Sequence, residues 1–272
     1  MTTINKDTTL CISLAARPSN YGTRFHNYLY QALGLNFIYK AFTTSDLPAA
    51  VNGIRALGIR GCGVSMPYKE ACIPLVDELD PSAASIQSIN TIVNTEGSLK
   101  AYNTDYIAIV ELLKLNHIPT DYHFALRGSG GMAKAVACAL RDLGFKHGTI
   151  VAQNPKTGPA LAEQCGFSWQ SQLTAPTQLL INATPIGMAG GNSSEQQSFT
   201  DEQVADAETI FEVVATPLET PLIRAAQRFG KKSISGADIY AIQAVEQFAL
   251  YTDHRPSAQL FQQAAAYARG EA

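Results

Sequence analysis

Residues 123–152 hold the stretch that most narrows what this chain can become. Phe124-Ala125-Leu126 is a short apolar strand, Gly128-Ser129-Gly130-Gly131 a glycine turn, Met132 to Leu143 a segment of helical composition, and Gly148 to Ala152 a second strand. A strand, a glycine turn, a helix and a strand in that order open a parallel sheet of the dinucleotide-binding kind. The glycines let backbone approach a pyrophosphate, and the helix that follows, beginning with Met132, offers its N-terminal amides and partial positive charge. Ala133 stands at the third glycine position of the usual spacing, and its small side chain still permits close helix–strand packing. A structural turn is the competing reading of such glycines. After the second strand come Gln153-Asn154-Pro155-Lys156-Thr157, with no acid before Glu163. A cation there suits a 2′-phosphate, so NADP is the expected cofactor, with Lys156 as the charge and Asn154 as a donor.

The same alternation fills the first hundred residues. Strands are predicted at Thr9 to Leu14, Asn36 to Phe42 and Leu57 to Val64, and helices at Phe25 to Leu33 and Leu47 to Leu57. Phe25, Leu29 and Ala32 share one helical face, Arg17 to Gly22 form a polar loop, and Gly34 is placed to stop the helix. Pro67 to Leu79 reads as a helix closed by Asp80-Pro81. Ser88 to Asn94 is a short strand, turned by Glu96-Gly97 into Lys100 to Asn103. Tyr106 to Leu115 connects to the second unit, which continues with strands at Gln178 to Asn182 and Thr209 to Val214 and a helix at Pro221 to Phe229. Ala189 to Asp201 reads as an exposed flexible loop, and helices at Ile239 to Tyr251 and Pro256 to Arg269 end the chain. Such alternation predicts an α/β fold with a mostly parallel sheet covered by helices on both faces.

At 272 residues the chain is long enough for two domains, and 46% hydrophobic against 16% charged residues excludes a disordered protein. A net charge of -3 leaves no basic surplus for a phosphate backbone, so nucleic acid is not an expected partner. No apolar run reaches the roughly 20 residues that span a bilayer, and no membrane association is expected. Five scattered cysteines without CxxC spacing read as reduced, mostly buried thiols of a cytoplasmic protein, and no histidine–cysteine cluster suggests a metal.

Gly63-Val64-Ser65-Met66-Pro67-Tyr68-Lys69 leads from an apolar strand into a turn. Pro67 sets its own φ and biases Met66 towards extended backbone, so Lys69 leaves the strand end in a defined direction and is the candidate for chemistry. A solvated lysine at a helix start is the competing reading. Asn90, flanked by apolar residues, and Asp105, after Tyr102-Asn103-Thr104, are the other polar candidates, although a brace and a helix cap account for them equally well. Met66, Met132 and Met188 need only be packing residues.

Together these motifs resemble the shikimate dehydrogenase family, in the family's order across nearly the whole chain. Val64 to Lys69 is similar to its V-T-x-P-x-K, Ile89-Asn90-Thr91 to its A-x-N-T, and Tyr102 to Asp105 to its G-x-N-T-D. Gly128 to Ala133 matches its glycine loop, Asn182 to Met188 its N-A-T-x-x-G-M, and Gln243 the glutamine of its final helices. The resemblance implies two domains. Residues 1–105 would form a substrate and catalytic domain to which helices 238–272 return, and residues 106–237 a Rossmann-type NADP domain. It implies Lys69 and Asp105 as the catalytic pair, and Ser65, Asn90 and Gln243 as ligands of a small hydroxy-acid substrate. It also implies Gly128, Ser129, Gly130, Gly131, Met132, Asn154, Lys156, Thr184, Val213 and Gly236 around the cofactor. The reaction implied is oxidation of a ring hydroxyl, with Lys69 stabilising the developing alkoxide and the proton passing through Asp105 or water.

Two departures concern the substrate. Where the family carries an S-x-S pair for the substrate carboxylate, this chain has Asn20-Tyr21-Gly22, and where it carries a substrate-binding tyrosine, this chain has Ala215. Each lost hydrogen bond to a bound carboxylate costs about 1.5 to 3 kcal/mol. Shikimate is then a poor substrate, or another cyclic hydroxy acid such as quinate or an amino analogue is the main one. A non-catalytic NADP-binding regulator is the third alternative.

Overall fold

The structure is a computed structural model that describes residues 4–270. It divides into two compact units, one of Met1–Thr104 with Ala241–Ala272 and one of Asp105–Tyr240.

The first unit opens with β1 (Thr9–Leu14), α1 (Tyr21–Ala32), β2 (Phe37–Phe42), α2 (Leu47–Ala56) and β3 (Gly61–Val64). Then follow α3 (Tyr68–Ala71), a 3-10 turn (Ile73–Leu75), β4 (Glu78–Leu79), α4 (Pro81–Ala84), β5 (Thr91–Thr95) and β6 (Ser98–Tyr102). The six strands pair in the order β2-β1-β3-β5-β6-β4. Three pairings are parallel, β1 with β2 and β3, and β4 with β6, whereas β5 runs antiparallel to β3 and β6. Alternation along the strands divides the core between two faces. Ile12, Leu14, Cys62, Val64 and Ile92 pack with Val51 and Ile54 of α2. Cys11, Tyr39 and Val93 face the other way, onto Phe25 and Leu29 of α1 and Phe248 and Tyr251 near the end of the chain. Gly61 is a glycine because a Cβ there would lie 2.2 Å from the Tyr251 ring.

Three readings of this unit need correction. Helix α1 starts at Tyr21, inside the expected loop, and buries Phe25, His26, Leu29 and Tyr30 while Ala32 is exposed. The single helix expected over Pro67 to Leu79 is broken. Pro74 has no N–H to continue it, so α3 stops at Ala71 and the chain re-enters the sheet as β4. Asp80 does not close a helix but starts α4, accepting from the backbone N of Ser82 at 3.0 Å.

The second unit takes in most of α5 (Thr104–Leu115), then β7 (Phe124–Arg127), α6 (Gly131–Asp142), β8 (Gly148–Val151), α7 (Thr157–Cys165), β9 (Ser168–Gln170) and β10 (Leu179–Asn182). It continues with α8 (Asp201–Asp206), β11 (Thr209–Glu212), α9 (Pro221–Arg228), β12 (Lys232–Ile234) and the start of α10 (Gly236–Thr252), whose later residues belong to the first unit with α11 (Ala258–Arg269). All six strands are parallel, in the order β12-β11-β10-β7-β8-β9. Counted from β7, this is the doubly wound order 3-2-1-4-5-6 of dinucleotide-binding sheets. Sequence reasoning did not find α7, β9, α8 or β12, which are short and lack a clear hydrophobic period. The end of the loop expected to be exposed is anchored, because Ser198 and Phe199 are buried and Thr200 opens α8 with a reciprocal cap to Gln203. Met66 and Met188, expected in packing roles, are 77% and 43% exposed. All five cysteines are buried and free. Among the described residues, no helix is long and apolar enough to cross a membrane and no group of side chains could hold a metal ion.

Candidate active site

In an open α/β sheet, ligands bind beyond the carboxyl ends of strands, where successive connections diverge to opposite sides. In the first unit that point lies between β1 and β3, since β2 and β3 flank β1. The loop after β1 carries Asn20 and leads to Gly22, and the loop after β3 carries Ser65 and Lys69. The β3 loop is tied down at both ends. Ser65 N donates to Leu14 O at 2.9 Å, Tyr68 N to Ser65 O at 2.9 Å, and Tyr68 Oη to Thr44 O at 2.8 Å. The Met66–Pro67 peptide is cis. Lys69, half-buried, accepts at its backbone O from Ile89 N at 3.0 Å, which links it to the turn that carries Asn90.

Asn90 is buried, and its Oδ1 accepts from Thr91 Oγ1 at 2.9 Å, Thr104 N at 2.8 Å and Thr104 Oγ1 at 3.1 Å. Its oxygen is therefore committed, and only the two N–H donors of Nδ2 remain to address a ligand. Thr104 Oγ1 also lies 3.3 Å from Gln243 Oε1, so Asn90, Thr104 and Gln243 share one polar cluster. Asn20 is exposed at the start of α1. Gly22 faces the Tyr39 ring, where a Cβ would make an ordinary contact at 3.5 Å. Sequence reasoning missed Thr91, Thr104 and Gln247, which has Nε2 bonds to Asn90 O and Thr91 Oγ1. The signal available was two glutamines four residues apart, Gln243 and Gln247, on a largely apolar helix.

In the second unit the corresponding point lies between β7 and β10. The glycine turn follows β7, and Gly128 has φ +123, with a would-be Cβ only 2.9 Å from Ala183 O in the loop after β10. Around Gly130 and Gly131 there is open space, and α6 starts without a side-chain cap among the described residues. Its first amides thus remain for an anion, which fits a dinucleotide pyrophosphate held by Gly128, Ser129, Gly130, Gly131 and Met132. Ser129 Oγ lies 2.7 Å from Thr157 Oγ1, and Asn154 Oδ1 accepts from the backbone N of Lys156 at 2.9 Å and of Thr157 at 3.2 Å. The Asn154 oxygen is spent on starting α7, leaving its amide N–H groups and the exposed Lys156 for a phosphate.

Thr184, Val213 and Ala215 sit on two loops braced by one buried network. Asn182 Oδ1 accepts from Thr184 N at 3.1 Å and from Thr184 Oγ1 at 2.6 Å, and Asn182 Nδ2 donates to Glu212 Oε1 at 2.9 Å. Val214 N donates to the same oxygen and Thr220 Oγ1 to Glu212 Oε2, both at 2.9 Å. Burial pushes Glu212 up to about 7, against the pull of those donors. Gly236 has a packing reason of its own, since a Cβ there would lie 2.3 Å from Val213 O.

Such a doubly wound sheet, with an open glycine turn and an uncapped helix after its first strand, defines a dinucleotide-binding protein whose other unit carries a buried polar cluster. Residues 21–92 match the family model described as the shikimate dehydrogenase substrate binding domain. The chain is 55% identical to a shikimate dehydrogenase-like protein of Haemophilus influenzae, over 98% of both chains. It is 33% identical to a shikimate dehydrogenase (NADP(+)) of Pelodictyon phaeoclathratiforme, over 86% of this chain and 87% of that one. The structure of a Thermus thermophilus shikimate 5-dehydrogenase in complex with NADP(H) and shikimate superposes with a TM-score of 0.84 at 28% identity, covering 96% of this chain and 99% of that chain. The chain belongs to the shikimate dehydrogenase family.

Proposed function

We propose that this protein is an NADP-dependent oxidoreductase that interconverts a cyclic hydroxy acid, shikimate or a close analogue, and its 3-keto form. The observation that carries the reading is the pairing, in one family member, of an open glycine turn with a buried Asn90 whose free donors suit a substrate hydroxyl. The Thermus relative holds NADP(H) and shikimate. When bound, NADP would take the hydride released from the alcohol carbon.

Lys69 stabilises the negative charge that grows on the alcohol oxygen, and Asp105, in the first turn of α5, passes the proton on directly or through water. Asn90 Nδ2 and Gln243 hold ring hydroxyls, with Ser65 beside them on the β3 loop. Asn20, Gly22 and Ala215 supply fewer hydroxyls to the carboxylate end than the family pattern, so shikimate is turned over with a weak KM. The 2′-phosphate is held by Lys156 and Asn154. Replacing Lys69 with alanine tests the assignment. A fall of at least about a hundredfold in kcat is expected from removing a charge that acts in the transition state, and a rate within twofold of wild type would remove Lys69 from the chemistry.

A further inference from the structure

Two carboxamides near Asn90 have their orientations dictated by main-chain groups. Thr104 N can only donate, and it meets the Asn90 side chain at 2.8 Å, so that end of Asn90 is the oxygen. Asn90 O can only accept, and it meets the Gln247 side chain at 3.1 Å, so that end of Gln247 is the nitrogen. Gln247 Nε2 also reaches Thr91 Oγ1 at 2.9 Å, so Thr91 accepts there and sends its own proton to Asn90 Oδ1 at 2.9 Å. The far end of Gln247 must then be an acceptor. Gln247 is also the one side chain that pulls the His26 pKa up, against the larger effect of burial. His26 is 1% exposed, stacked at 4.4 Å on the Tyr39 ring, and its Nδ1 has no partner among the described residues. Burial lowers its pKa to about 3, so the ring is neutral. With Nδ1 bare, its one proton sits on Nε2.

We propose that His26, Gln247 and Thr91 form a one-directional hydrogen-bond relay that positions the Asn90 carboxamide, so that its Nδ2 donors, and not its oxygen, face the substrate. All four side chains are buried, and every proton in the relay runs the same way, from His26 to Asn90 Oδ1. Without Gln247, the Thr91 hydroxyl is free to donate to Asn90 O instead, and Asn90 loses one of the groups that hold its orientation. The relay acts through Asn90 and rests on the reading of Asn90 as a substrate ligand.

The test is a double-mutant cycle on substrate KM, using shikimate and NADP as probes. Gln247→Met and Thr91→Val each remove one link at near-constant volume, and each is expected to raise the shikimate KM by about tenfold while the NADP KM stays within twofold. In an Asn90→Ala background the same changes are expected to add less than about twofold, because the group they orient is gone. Additive effects in that background, or an unchanged shikimate KM in Gln247→Met, would overturn the relay. If Asn90→Ala alone leaves the shikimate KM unchanged, the assignment of Asn90 as a ligand fails, and the relay falls with it. Nitrogen NMR of the wild-type histidines gives a readout independent of turnover. One ring that stays neutral on acidification and carries its proton on Nε2 is expected, whereas a proton on Nδ1 of His26 would reverse the relay and contradict it.

Discussion

The backbone N of Thr104 donates to Asn90 Oδ1 at 2.8 Å, joining the turn before β5 to the start of α5, fourteen residues apart. That bond sets which end of the Asn90 carboxamide is left for a ligand. Asn90→Asp keeps an oxygen for Thr104 but puts a second oxygen where the donors were. It is expected to lower kcat/KM for a hydroxy-acid substrate by about one hundredfold or more, since a donor becomes an acceptor at a substrate hydroxyl. Asn90→Ala instead leaves Thr104 N without its partner and is expected to lower stability by about 1–3 kcal/mol as well. Denaturant titration beside steady-state kinetics separates the two effects.

Gly22 offers a gain-of-function test. A Cβ at this position meets only an ordinary contact, 3.5 Å from the Tyr39 ring, so a serine fits without backbone movement. The double change Asn20→Ser with Gly22→Ser is expected to lower the shikimate KM by about tenfold or more, one hydrogen bond to an anion per hydroxyl restored. An unchanged KM would show that the carboxylate is bound elsewhere.

Glu212 should make the second unit less stable as pH rises. Its folded pKa is raised, by burial above all, from 4.5 to about 7. The folded state therefore holds the proton more tightly than the unfolded chain, so the stabilisation is complete below pH 4.5 and is lost as pH rises through about 7. The size is about 3 kcal/mol at most. Urea titrations across this window should show that slope in wild type and a flatter one in Glu212→Gln.

His26 acts with the opposite sign in the first unit. Burial depresses its pKa from 6.5 to about 3, so its contribution is present above pH 6.5 and is lost as pH falls towards 3. A few kcal/mol are at stake over that range. His26→Phe, whose ring can keep the stack on Tyr39, should remove this acid sensitivity. Acid midpoints followed by circular dichroism report it.

Much of the fold was legible because its signals are local. Thr9 to Leu14 is the first strand residue for residue, since a short, largely β-branched and apolar run just before a polar loop reads as a strand. Glycine placement revealed the turn after Phe124 to Arg127, where Gly128 needs positive φ and close approach to Ala183. The break at Pro74 was missed because apolar residues on both sides keep a helical spacing that the missing N–H overrides. Glu212, Thr220, Gln247 and Thr91 were missed for another reason. Thr220 meets Glu212 across 8 residues, and Gln247 meets Asn90 and Thr91 across 157 and 156, and a buried polar side chain shows its purpose only when its acceptors and donors are in place. Gly236 was expected beside the cofactor through family pattern alone. Its contact with the Val213 backbone supplies a packing reason that no local sequence signal carries.

The central claim is NADP-dependent oxidation of a cyclic hydroxy acid, and steady-state kinetics of the purified protein with shikimate and quinate, each against NADP and NAD, test it most directly. NADPH formation with one of these acids, a weak KM for shikimate, and at least about tenfold preference for NADP over NAD are expected, from the charge of Lys156 and the absence of a ribose-binding acid. No turnover of either acid with either cofactor, or a preference for NAD, would contradict it.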